Sequence, residues 1–92
     1  MEIVVLYTLR EGVDMQRVME TFPRHQAYYE AFRADGGGII ALGPFQTADP
    51  AGASMGIFTS REDAEDFIAG DPFIKEGLAE PRILEWDAER FE

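Results

Sequence analysis

The sequence predicts an α+β sandwich of the ferredoxin-like type, with segment order β-α-β-β-α-β and one antiparallel four-stranded sheet. Three observations predict it. Four short β-prone apolar runs are interleaved with two stretches of helical period. Glycine and proline punctuate the joins. The chain also lacks internal repeats, low-complexity stretches and linkers, which makes residues 1–92 one expected domain.

The first strand spans Glu2 to Leu9, where Ile3-Val4-Val5-Leu6-Tyr7 is nearly continuous in apolar character and reads as buried on both faces. Asp14 is placed to cap a helix carrying Met15, Val18, Met19 and Phe22 on one side. Pro23 predicts a break there, because helical geometry is disfavoured at the preceding Phe22. A second helical segment is expected from Pro23 to about Asp35, ended by Gly36-Gly37-Gly38. That run follows a helix and precedes a strand, the reverse of a phosphate loop.

Ile39-Ile40-Ala41-Leu42 is the second strand, stopped by Gly43-Pro44. Phe45 to Gly52 reads as a loop containing Asp49-Pro50, and Ser54 to Thr59 as the third strand. Ser60, with Asp63 three residues on, resembles a capping box. The acidic Glu62–Asp66 cluster suits the positive start of the helix that follows, better than it suits a divalent cation. Ala64, Phe67 and Ile68 form that helix's buried side, and Gly70 ends it. Asp71-Pro72 opens one further turn closed by Gly77, and Arg82 to Asp87 is the last strand.

Two helices cover only one face of such a sheet, yet the first two strands are apolar on both. A second copy of the chain, sheet against sheet, is the economical cover, so a homodimer is expected. Eighteen acidic and eight basic residues give a net charge of −10, which repels phosphate backbones and anionic lipid heads. Nucleic acid and membrane are therefore not the expected partners. With no cysteine the chain has no disulfide, thiolate nucleophile or zinc-finger chemistry. No signal peptide or long apolar run is visible, and the cytoplasm is the expected compartment. No cofactor motif is present, and a single histidine argues against a transition-metal site.

That histidine is the most informative residue. Tyr28, Tyr29 and Phe32 follow His25 at i+3, i+4 and i+7, so a side chain that titrates near neutrality sits on a face built for burial. Asp71 is the carboxylate best placed to meet it. One oxygen of Asp71 can cap the turn that starts at Pro72 while the other accepts from the imidazole, holding the ring in one tautomer. Tyr7 offers a hydroxyl to a ligand, Arg24 offers a cation, and Phe45 and Phe73 flank chain reversals where they can wall a pocket. Each has a structural alternative: His25 as a core residue bonded to backbone, Asp71 as a cap, Arg24 as a solvated helix residue, the phenylalanines as filler. Tyr28, Tyr29 and Phe32 read as core.

The chain resembles the YCII-related (YciI-like) family of small dimeric α+β barrel proteins. The resemblance rests on Arg24-His25 followed by Tyr28-Tyr29, on Gly43-Pro44, and on Ser60-Arg61-Glu62-Asp63-Ala64 leading into Asp71-Pro72-Phe73 and Gly77. It implies a ferredoxin-like fold paired through its sheets and a site built on a His-Asp pair, carried over onto His25 and Asp71. One kind of member is implicated in removing chloride from a chlorinated hydroxyhydroquinone, and the related muconolactone isomerases share the fold. The expected function is cofactor-independent acid–base chemistry, an isomerase or lyase acting on a small cyclic or carbonyl-bearing metabolite. The alternative is a non-catalytic ligand-binding or protein-association module with a structural histidine. Gly36-Gly37-Gly38 is longer than the family's usual turn and is expected to alter the pocket rim.

Overall fold

A computed structural model describes residues 1–49 and 52–91. Strand β1 (Glu2–Leu9) leads into helix α1 (Met15–Ala34) and strand β2 (Ile39–Asp49). Strand β3 (Gly52–Phe58), helices α2 (Arg61–Gly70) and α3 (Pro72–Lys75), and strand β4 (Ala79–Trp86) complete the order. The four strands form one sheet of order β2-β3-β1-β4, with every pairing antiparallel. This is the βαββαβ sandwich expected from the sequence.

Alternation along β1 sorts the core. Ile3, Val5 and Tyr7 face the helices together with Phe58, their neighbour across the β3 ladder, and with Ala64 and Phe67 of α2. Phe58 and Phe67 are fully buried, and their rings meet at 5.2 Å. Val4 and Leu6 occupy the opposite face, beside Ile57 and Met55 on β3 and Leu84 on β4. Leu84 and Trp86 are 40% and 43% exposed there, so the helix-free face of the sheet is apolar.

Four boundaries differ from the sequence reading; β3 starts at Gly52 rather than Ser54, because Asp49 of the lengthened β2 pairs with Gly52. Helix α1 runs unbroken through Pro23. The hydrogen bond that Pro23 cannot make would go to the carbonyl of Met19, a residue 72% exposed, where water replaces the donor. Thr21 and His25 are buried on either side of the proline, and one continuous axis keeps both against the core. Strand β2 likewise continues through Gly43-Pro44 to Asp49. It is an edge strand, where a residue without an N–H is tolerated, and its register against β3 shifts after Pro44. Of the expected loop, Pro50 and Ala51 lie outside the described residues. Strand β4 begins at Ala79, three residues before Arg82, because Leu9 pairs with Ala79 and extends the ladder.

The triple glycine is explained by packing rather than by a pocket rim. Gly36 has φ +90 and ends α1, with Gly36 N–H donating to the Arg33 carbonyl and Gly37 N–H to that of Phe32. A Cβ on Gly37 would collide with Phe32, and one on Gly38 with Thr59 and Asp63. The Asp63 carboxylate accepts from Ser60 Oγ at 2.8 Å and from Thr59 Oγ1 at 3.1 Å. These bonds, with a backbone bond from Gly38, hold Asp63 below the usual carboxylate range and bind the start of α2 to the end of the glycine run.

Candidate active site

The site begins with the local chemistry of two helix segments. On α1 the inward stripe is Thr21, His25, Tyr28 or Tyr29, and Phe32, the spacing of one helix face. At the α2–α3 junction Asp71 takes extended backbone geometry as the N-cap of α3, and Pro72 supplies the first helical residue with no donor to waste. Gly77, at φ +72, then reverses the chain into β4. The short turn of α3 thereby presses the fully buried Asp71 against the middle of α1.

His25 Nδ1 lies 2.9 Å from Asp71 Oδ1. The carboxylate only accepts, so Nδ1 carries the proton and Nε2 holds the free lone pair of the neutral ring. Nε2 has no protein partner among the described residues, and His25 lines a cavity. The imidazole lies 4.4 Å from the ring of Phe73, centroid to centroid, and meets Tyr29 edge-on at 5.3 Å. The rings of Phe22 and Phe67 stand further off, at 6.1 and 6.4 Å, so four aromatic neighbours and one acceptor set its position, and 7% of the residue remains exposed.

Asp71 departs from the expected division of labour. The same oxygen, Oδ1, accepts from His25 Nδ1 and from the Phe73 backbone N–H, the latter at 3.1 Å. Its second oxygen, Oδ2, is buried and has no partner among the described residues. The hydroxyl of Tyr7 is likewise buried with no partner among the described residues.

The cavity has a volume of about 330 Å³. Its floor comes from Tyr7 and Leu9 of β1, with Ala53 and Ser54 of β3 beside them. Met15, Val18, Phe22, His25 and Tyr29 of α1 form one wall, and Leu42 to Phe45 of β2 the other. Phe73 and Ala79 close the end. The wall atoms are mostly apolar, which favours a small uncharged ring over a phosphate or polycarboxylate.

Five of the six candidate residues thus meet around one site: His25, Tyr7, Phe45 and Phe73 line the cavity, and Asp71 stands behind the histidine. Arg24 does not. Its guanidinium is held outside the cavity by Glu76, with a contact to Thr21 Oγ1, and Arg17 donates to the same glutamate at 2.9 Å. One step along a helix rotates a side chain by about 100°, so the neighbour of an inward histidine faces elsewhere. Tyr28 and Tyr29 both pack against the core as expected, and Tyr29 also lines the cavity, while Tyr28 donates its hydroxyl to the Phe67 carbonyl at 2.8 Å. Ser54 went unnoticed in the sequence because only the ladder reveals that it stands across from Tyr7.

The chain matches the model of the YCII-related domain over residues 1–87. It belongs to the YCII-related family. Among solved structures it is similar to the 5-chloro-2-hydroxyhydroquinone dehydrochlorinase TftG of Burkholderia phenoliruptrix AC1100, in complex with 2,5-dihydroxybenzoquinone. Identity is 24%, the match covers 97% of this chain and 96% of that one, and the TM-score is 0.73. It is also similar to a hypothetical protein of Arabidopsis thaliana solved in solution, with 12% identity, 99% and 89% coverage and a TM-score of 0.57. Both likenesses concern the fold of the YCII chain. No curated protein sequence matches it. Among the described residues no helix is long and apolar enough to cross a membrane.

Proposed function

We propose that this YCII protein is an acid–base enzyme, an isomerase or a dehydrochlorinase-like lyase, acting on a small cyclic or carbonyl-bearing compound. The observation that carries the reading is the His25–Asp71 bond at the wall of an apolar cavity. Asp71 holds the imidazole with Nδ1 protonated, which leaves Nε2 to take a proton from a carbon or hydroxyl beside a carbonyl. The released electron pair becomes a π bond. The proton then returns at another position, which is isomerisation, or a leaving group departs with its own electron pair, which is elimination. Imidazole suffices for either transfer, so the reading calls for no cofactor. Tyr7, Phe45 and Phe73 would hold the ring of the substrate; the dehydrochlorinase bound to a dihydroxybenzoquinone supports a substrate of that size and flatness.

The same reading includes a cytoplasmic homodimer joined through the helix-free sheet face. Its support is the apolar surface of that face, where exposed Leu84 and Trp86 stand with half-buried Leu6, Met55 and Ile57.

A second reading draws on the same bond. His25 and Asp71 tie α1 to α3 and are nearly sealed, as a structural pair in a ligand-binding or association module would be. Replacing His25 by Gln separates the two. For an enzyme, the variant folds and binds ligand while turnover of a hydroxylated quinone, hydroquinone or lactone from a screening panel falls by about 10²–10⁴. Undiminished turnover by the folded variant would rule out the proton shuttle.

A further inference from the structure

Two buried polar atoms behind the cavity lack partners, and they are complementary. Tyr7 Oη can donate, and Asp71 Oδ2 can only accept. Burial of such atoms without a hydrogen bond is unfavourable, and native proteins rarely leave two of them at one site. Both belong to residues at the site: Tyr7 is 3% exposed on the cavity floor, and Asp71 is fully buried. The Asp71 charge bears on the Tyr7 hydroxyl, although no formed bond joins the two. Burial first and Asp71 second hold the phenol protonated well above the ordinary tyrosine range, so it stays a donor throughout the physiological range.

We infer that Tyr7 is a positioning residue of the His25–Asp71 pair, its hydroxyl donating to Asp71 Oδ2 after a small side-chain rotation while Oδ1 serves His25 and the α3 cap. The inference rests on the acid–base reading of that pair. It moves Tyr7 from holding the substrate through its hydroxyl to holding the carboxylate, with only its ring offered to the cavity. Three donors from three elements then fix Asp71: Tyr7 from β1, His25 from α1 and the Phe73 amide from α3. The carboxylate cannot swing away from the imidazole, and its charge is divided between a phenol and the ring. Tyr28 also feels Asp71, but its hydroxyl is already committed to the Phe67 carbonyl.

The test uses Tyr7→Phe in the full chain, read by proton NMR and thermal unfolding. The wild type should show a downfield, exchange-protected His25 Nδ1–H resonance, which Asp71→Asn should weaken or abolish. Absence of that resonance from the wild type would overturn the pair itself. If Tyr7 positions Asp71, Tyr7→Phe moves the resonance further downfield, because the full carboxylate charge falls on His25, and it lowers Tm by orphaning Oδ2. If Tyr7 is merely an unpaired phenol, the resonance stays in place and Tm holds or rises, because a buried unsatisfied hydroxyl has been removed. That result would overturn the inference and leave the pair standing. Should Tyr7→Phe not fold, hydroxyl-proton NMR of the wild type and of Asp71→Asn separates the same alternatives. A slowly exchanging, downfield Tyr7 Oη–H resonance that moves upfield in Asp71→Asn is expected, and its absence from the wild type or an unchanged shift in the variant overturns the proposal.

Discussion

His25 and Asp71 are 46 residues apart in the chain and 2.9 Å apart in the fold, joined by a bond that links the middle of α1 to the start of α3. The same Asp71 oxygen caps α3, so local helix formation and the placement of the imidazole depend on a single atom. This coupling makes substitutions at Asp71 informative.

Asp71→Asn retains a good capping side chain but gives up the charge that accepts from His25, so it should cost some stability, and less than Asp71→Ala. Asp71→Ala removes the cap, at about 1 kcal/mol, and leaves the buried His25 N–H unpaired, at roughly 1–3 kcal/mol more. Chemical denaturation of the two variants measures the difference. Equal stability would mean that the carboxamide site contributes nothing to the fold.

Alkaline pH should destabilise the protein through its buried phenol. Tyr7 ionises in the folded state only well above its ordinary value of 10.0, because of burial and then of Asp71. The unfolded chain loses that proton first, so the stability is intact below about pH 10 and declines as pH rises beyond it. Tyr28 is displaced in the same direction, chiefly by partial burial. Unfolding free energy measured from pH 8 to 11 should fall less steeply in Tyr7→Phe than in the wild type.

Acid should loosen the outer side of the α1–α3 contact. The Arg24 and Arg17 guanidiniums hold Glu76 down from 4.5 to about 2. A depressed carboxylate contributes stability above its unfolded value and loses it as pH falls from about 4.5 toward 2. Both arginine side chains are exposed, so solvent screens much of this. Glu76→Gln should flatten the melting-temperature profile in that window, and added salt should flatten it for the wild type as well.

The apolar sheet face predicts assembly. Sedimentation at micromolar concentration should give twice the 10.3 kDa chain mass. Leu84→Asp places a charge on that face and should yield monomer while leaving the His25–Asp71 site folded. A wild-type monomer stable across the same range would remove the dimer proposal.

Local pattern made most of the fold legible. β1 needed only its apolar run, α2 its Ser60 cap, and α3 its Asp71-Pro72 start. The misjudged boundaries all involve residues whose local preference was overridden from a distance. Pro23 is carried through α1 by the burial of Thr21 and His25 around it, and Pro44 is tolerated because β2 lies at the edge.

By itself the sequence determined the order of elements, the inward stripe that carries His25 and the short capped turn that carries Asp71. Each of these depends on backbone periodicity and on hydrogen bonds between near neighbours, which a linear reading contains. Only the tertiary structure decided that one Asp71 oxygen does two jobs and the other none, that Arg24 is taken by Glu76, and that Ser54 faces Tyr7 across a ladder. Those outcomes depend on sheet register and on the rotation of α1 against α3. Both are set by the packing of the whole core, which no local stretch of sequence specifies.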